Sequence, residues 1–316
     1  MTTATRPATL REWLDEYLAT RRALGFQLDD VERQVGLFLA WLEARGQTQT
    51  FTIDDAVVWA RLNPDAHPSW WATRLSLVRR FANHLNASGV DVPAIPSGLL
   101  PARKPRAVPF IYSQDDIDAL LTACDTTFTD ERIAATVRTA IGLLTATGLR
   151  IGEALRLRVD DIDAAHDLLV IQAAKSAQRL VPIHPTTTVA LLQYIALPAR
   201  TATHPDPPGP VFVTANGTGY AYGPFQARFK RVREAAGLTP RGRARPRLHD
   251  LRHTFATAHM TTAYAHHGDP ERVLTLLATW LGHSDAAHTY WYLTATGELM
   301  ARAAGLLEHD PEGAPS

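Results

Sequence analysis

Cysteine and lysine are both scarce: the 316 residues hold one cysteine, Cys124, and three lysines, Lys104, Lys175 and Lys230. A lone cysteine closes no internal disulfide, and without a Cys-x-x-Cys pair there is no thiolate zinc site, so a reducing cytoplasm is the expected home. Cys124 itself reads as a buried core residue. No apolar run approaches the roughly 18 residues that a membrane-spanning helix needs, and no membrane association is expected. Near the start, Glu12, Asp15 and Glu16 lie within an amphipathic pattern, unlike the basic-then-apolar layout of a secretory signal. Net charge is missing too: 32 basic residues balance 32 acidic ones, which argues against nonspecific coating of nucleic acid. His249, His253, His259, His266, His267, His283 and His288 crowd together, but His-Glu-x-x-His is absent and no ligand spacing recurs, so no metal or other cofactor is expected.

What is present is enough apolar material, 46% of residues, for two domains with separate cores. Leu10, Trp13, Leu14, Tyr17 and Leu18 recur at helical spacing, and Val31, Val35, Phe38, Leu39 and Leu42 repeat the stripe. Thr52 followed by Asp55 predicts a capped third helix, and Trp71, Leu75, Val78, Ala82 and Leu85 mark a fourth that stops before Gly89. These make an all-α domain within residues 1–92. Five prolines and the basic residues Arg103, Lys104 and Arg106 fall in 93–109, predicting an extended, semi-rigid linker able to follow a polyanionic backbone.

The second domain, 110–316, opens with a capping pair, Ser113 and Asp116. A helix from about Arg132 is predicted to end at Thr147-Gly148, with a new one starting near Arg150. Leu168–Ala173 and Arg179–Ile183 are strand-prone runs flanking Lys175, which predicts a hairpin with that lysine near its tip. From Phe225 onward the spacing is helical again. Residues 228–247 carry Arg228, Lys230, Arg231, Arg233, Arg241, Arg243, Arg245 and Arg247 against the single acid Glu234, so the rest of the chain carries a net negative charge. Such a run fits either a solvated loop or a phosphate-facing surface.

Six polar residues stand where a turn or helix start can aim them at one point: Arg150, Lys175, His249, Arg252, His283 and Tyr292. Arg150 follows the Gly148 turn, where free N–H groups and the helix dipole favour an anion, and Glu153 is available to brace it. His249 and Arg252 are spaced to share a helix face, with Asp250 in the first turn. Tyr290 and Tyr292 would point in different directions on a helix, so only one can serve such a site, and chemistry alone does not choose.

Gly148-Leu149-Arg150-Ile151-Gly152-Glu153, His249-Asp250-Leu251-Arg252-His253 and Leu281-Gly282-His283, with a tyrosine nine residues beyond that histidine, resemble the motifs of the tyrosine recombinases of the phage-integrase type. The resemblance covers about residue 110 to the end and selects Tyr292. The connection Ala174-Lys175-Ser176-Ala177-Gln178-Arg179 is about one residue shorter than is usual in that family. The resemblance implies a mainly α fold with a small β-sheet or hairpin: a four-helix, SAM-like core-binding domain followed by a mixed α+β catalytic domain. It implies a site-specific recombinase that cuts and rejoins DNA through a 3′-phosphotyrosine with neither metal nor ATP. In that scheme Tyr292 is the nucleophile, His249 the general base and Lys175 the acid for the leaving 5′ oxygen. Arg150, Arg252 and His283 hold the phosphate, with Glu153 and Asp250 in support. Arg103, Lys104, Arg106, Arg228, Lys230, Arg231, Arg241, Arg243, Arg245 and Arg247 would meet the DNA. The implied partners are double-stranded DNA with paired half-sites and three further copies of the chain on two duplexes, from a free monomer at the nucleoid. The segment Glu298–Leu307 has helical spacing and in the family often docks on a neighbouring protomer. Relaxation of supercoils, as by type IB topoisomerases, and a catalytically silent DNA-binding relative are the alternatives.

Overall fold

The computed structural model describes residues 7–26, 28–102, 107–172, 178–203, 209–265 and 270–282. The chain divides into two compact units, Met1–Arg106 and Ala107–Ser316.

The first unit contains α1 (Leu10–Ala23), α2 (Asp29–Glu43), α3 (Ile53–Ala60) and α4 (Pro68–Ala87). α1 and α3 begin at reciprocal capping boxes, Thr9 with Glu12 and Thr52 with Asp55, each of which satisfies two backbone donors that a helix start leaves open. The stripes seen in the sequence become one core: Tyr17, Val35, Phe38, Leu42, Trp59, Val78, Phe81 and Leu85 are buried together. Val92 and Ile95 also enter this core, so part of the proline-rich stretch packs as structure. Arg103, Lys104 and Arg106 lie outside the described residues.

The second unit continues with α5 (Gln114–Thr127), α6 (Glu131–Thr147), α7 (Ile151–Arg156) and a 3₁₀ turn over Val159–Asp161. Three short strands follow, β1 (Ile162–Asp163), β2 (Leu168–Ile171) and β3 (Arg179–Pro182), then α8 (Pro185–Ile195), α9 (Pro198–Thr201), α10 (Tyr222–Ala235), α11 (Asp250–Ala265) and α12 (Pro270–Leu281). α5 starts at the Ser113–Asp116 capping box, and Asp130 caps α6. α6 is central, burying Val137, Ala140, Ile141, Leu143 and Leu144 among α5, α8 and α11. Cys124 is fully buried in this core.

The expected hairpin is an antiparallel pair in which Leu169 faces Val181 and Ile171 faces Arg179. Its strands are shorter than the strand-prone runs, and β1 joins as a third, giving the order β1-β2-β3. Leu169, Ile171 and Val181 are buried while Leu180 is exposed, the period-two alternation of a sheet with one face on a core. α11 and α12 close over the end of α6 with a small cluster of Phe255, Ala256, Met260, Leu274, Leu277 and Leu281. Among the described residues no helix is long and apolar enough to cross a membrane.

Candidate active site

α6 ends because Gly148 takes φ +63 and donates its N–H to the Leu144 carbonyl. A Cβ there would meet Phe255 Cδ1 at 2.6 Å, so both the backbone turn and the approach of α11 require glycine. The turn delivers Arg150 to the position just before α7. Its backbone N–H donates to Glu153 Oε2 at 2.9 Å, and its Nη1 donates to Glu153 Oε1 at 3.0 Å. Glu153 therefore braces Arg150 as the spacing predicts. The helix dipole matters less than expected, since α7 is only six residues long.

Glu153 is buried and has a second partner that the sequence did not reveal. Arg179, the first residue of β3, donates from Nη1 to Glu153 Oε1 at 3.0 Å and from Nη2 to Oε2 at 2.8 Å. Desolvation alone would raise the carboxyl pKa. Arg179, the Arg150 backbone N–H and the charges of both guanidiniums outweigh it and hold the value at about 2.

The carboxyl end of α12 is where the remaining pieces meet. A helix leaves its last carbonyls without intrahelical donors and carries partial negative charge there. Three guanidiniums occupy that end. Arg179 Nε donates to the Trp280 carbonyl at 2.9 Å, and Arg252 Nη2 donates to the Leu281 carbonyl at 2.8 Å. Arg150 donates to the Leu281 carbonyl at 3.3 Å and to the Gly282 carbonyl at 3.1 Å. Arg252 also donates to the Gly148 carbonyl at 2.9 Å, and the Trp280 indole N–H donates to the Thr147 carbonyl at 2.8 Å. Arg150 and Arg252, far apart in sequence, thus converge on one carbonyl oxygen. Arg252 is 2% exposed, whereas the Arg150 side chain is 43% exposed, so Arg150 presents the wetter guanidinium.

His249 does not share a helix with Arg252, as its spacing had implied. α11 begins at Asp250, and His249 is the residue before it, accepting at its carbonyl from the Arg252 N–H. The imidazole packs edge-on against His253, 4.9 Å between centroids, and the residue as a whole is exposed. Desolvation, then the Arg252 charge, lower its pKa below the ordinary histidine value and favour the neutral ring. Asp250, fully buried, is claimed by Arg247 through its backbone N–H, Nε and Nη2, at 3.0, 3.0 and 2.7 Å.

The basic run is consequently not a uniform strip. Arg247 is held by Asp250, and Arg241 pairs with Asp116 at 2.8 Å while lying over the Phe110 ring. Arg231 covers Phe128, Arg228 covers Tyr220, and Lys230 stands 3.9 Å from Glu234. Arg243 and Arg245 are exposed. Beside His249 a groove of about 460 Å³ is lined by Tyr222, Gln226, Lys230, Arg233 and Arg247. No group of three His, Cys, Asp or Glu side chains among the described residues is placed to hold a metal ion.

Of the predicted site residues, Arg150, Glu153 and Arg252 are brought together, with His249 beside Arg252. Asp250 holds Arg247 in the turn before α11. Lys175, His283, Tyr292 and Tyr290 lie outside the described residues, as does Glu298–Leu307. Arg179 and Trp280 were missed. A buried-strand arginine four residues past Lys175 and a tryptophan next to Leu281-Gly282 were the available signals, but neither names its partner.

Residues 111–298 match the model of the phage integrase family. A Sinorhizobium fredii protein named as an integrase/recombinase, y4rB, is 38% identical over 307 residues, covering 95% of this chain and 98% of that protein. The tyrosine recombinase XerD of Lacticaseibacillus casei is 29% identical, covering 83% of this chain and 85% of the relative. Among solved structures, the Tn1549 transposon integrase in complex with transposon right-end DNA shares the fold with a TM-score of 0.60 at 16% identity, covering 95% of this chain and 99% of that one. The chain belongs to the phage integrase family and is a tyrosine-type site-specific recombinase.

Proposed function

We propose that this recombinase breaks and rejoins duplex DNA through a phosphotyrosine formed by Tyr292. The observation that carries the reading is the convergence of Arg150 and Arg252 on the end of α12, immediately before His283 in the sequence. Two guanidiniums fixed at neighbouring positions suit the two non-bridging oxygens of a phosphodiester and the charge that grows on them in a pentavalent transition state. A free phenol has a pKa near 10, so the attacking oxygen needs a proton acceptor. His249, kept neutral by desolvation and by Arg252, is suited to that task.

In this scheme Tyr292 Oη attacks phosphorus and its proton passes to His249. The phosphorus–O5′ bond breaks, and Lys175 supplies the proton that leaves with the 5′-hydroxyl. His283 donates to the same phosphate. The 3′-phosphotyrosyl bond keeps the phosphodiester energy, so attack by a different 5′-hydroxyl rejoins strands with no nucleotide cofactor. Exchange between duplexes requires a cut on each of four strands, which leads to four protomers on two duplexes with paired half-sites. The helical unit, the basic linker and the exposed Arg243 and Arg245 are assigned to the DNA backbone.

The test is a nicked suicide substrate incubated with wild type, Tyr292→Phe and Tyr290→Phe. Loss of the covalent adduct in the first variant alone is expected. Loss in the second alone refutes the assignment, and relaxation of any plasmid by a monomer points to topoisomerase action instead.

A further inference from the structure

Arg179 has no part in the scheme above, yet it holds both the carboxylate that braces Arg150 and the backbone at the end of α12. It starts β3, four residues beyond Lys175. Its side chain is 12% exposed and that of Glu153 is 5% exposed. Among the described residues its side-chain hydrogen bonds lead to parts that flank the proposed phosphate site: two to the carboxylate that braces Arg150, and one to the carbonyl of Trp280. The guanidinium also lies under Gly282, where an added Cβ would stand 3.0 Å from Arg179 Nη1. One planar fork thereby links the hairpin, the Arg150 turn and the backbone that leads into His283.

Charge gives this linkage a second consequence. Arg150 and Glu153 alone make a neutral pair, and a neutral pair attracts a phosphate weakly. With Arg179 present, one buried carboxylate faces two guanidiniums, and the cluster keeps a positive charge whose exposed end is Arg150. We infer that Arg179 is a positioning residue for strand cleavage, which offsets the charge of Glu153 so that the Arg150 it braces keeps a net attraction for the scissile phosphate, and which holds the hairpin and the Gly282 turn in register with it. The inference rests on the proposed active site.

Single-turnover cleavage of the suicide substrate by the full chain tests it, alongside thermal melting and non-covalent DNA binding in a Tyr292→Phe background. Arg179→Met is expected to slow cleavage on the order of 10²-fold, comparable to loss of one transition-state donor, while DNA affinity stays within a few-fold. Removing the stranded carboxylate as well, in Glu153→Gln/Arg179→Met, is expected to recover about tenfold or more of that loss. A methylphosphonate at the scissile position carries no charge, so the defect of Arg179→Met is expected to shrink there to less than about tenfold.

A merely structural brace predicts equal defects on both substrates that follow the melting temperature, and that result overturns the inference. Arg179→Lys keeps the charge but not the fork, and it serves if the methionine variant does not fold. Cleavage about tenfold slower with unchanged binding supports positioning, and wild-type cleavage overturns it. If wild type itself forms no adduct that Tyr292→Phe abolishes, the active-site reading fails. An adduct indifferent to Arg179 sinks only the present inference.

Discussion

Gly148→Ala tests how tightly the α6 turn sets the site. Two costs add. A residue with a Cβ at φ +63 pays about 1–2 kcal/mol for the left-handed conformation. The new methyl would also stand 2.6 and 2.9 Å from Phe255 Cδ1 and Cγ and 3.1 Å from Leu281 Cδ2. Phe255 cannot swing aside easily, because the rings of Trp280 and His259 pack against it, with centroids 5.9 and 4.2 Å away. Overpacking of this kind costs about 1–3 kcal/mol, so the total is about 2–5 kcal/mol. Gly237 is the control: it has φ +69 and nothing within 4 Å of an added Cβ, so Gly237→Ala carries the conformational cost alone. Urea unfolding, with hydrogen exchange in α6 and α11 reporting on the second unit, measures both variants. Gly148→Ala should be the less stable by about 1–3 kcal/mol, and cleavage should fall with it, since the Gly148 carbonyl anchors Arg252. Equal destabilisation, to within about 0.5 kcal/mol, would refute the steric argument.

Three further predictions follow from charge. Glu153 titrates at about 2 in the folded state against an ordinary 4.5, so its contribution is present above pH 4.5 and disappears as pH falls towards 2. That contribution is roughly 3 kcal/mol, and Glu153→Gln should flatten the corresponding limb of a stability–pH curve measured by urea unfolding. For cleavage, the lowered His249 pKa places the acid limb of the single-turnover pH profile below 6.5, and a midpoint above that value contradicts the assignment of His249 as base. Arg243→Ala/Arg245→Ala should weaken DNA binding and reduce the slope of log K against log salt by up to about 2 without altering melting, whereas Arg247→Ala should destabilise the fold by about 3 kcal/mol because buried Asp250 loses its partner. Melting curves and salt titrations of these variants separate the two kinds of arginine.

The features legible in the sequence were those encoded within one helical turn. Thr52 with Asp55 and Ser113 with Asp116 cap helices because donor and acceptor are three residues apart, and Gly148 stops α6 by its own backbone freedom. The strand pairing of the hairpin was legible as well, since two β-prone runs lie close together in the sequence. Long-range pairings were not. Nothing near Arg179 in sequence indicates Glu153, and nothing near Trp280 indicates the Thr147 carbonyl. Arg241 and Arg247 looked like neighbours in a phosphate-facing run until Asp116 and Asp250 proved to hold them. His249 and Arg252 have the spacing of one helix face, but the helix starts between them, and backbone geometry at a helix start breaks the periodicity on which that inference depends.

The three guanidiniums at the end of α12 also constrain how this chain can change. Substitution on the outer face of that helix, at Leu276 for example, leaves the carbonyls of Trp280, Leu281 and Gly282 where they are. Insertion or deletion of a single residue would rotate those carbonyls by about 100° and shift them about 1.5 Å along the axis, so that no arginine met its acceptor. The length of α12 is thus set by the arginines it meets, and divergent relatives should vary its outer face freely while conserving its residue count, its buried leucines and Trp280.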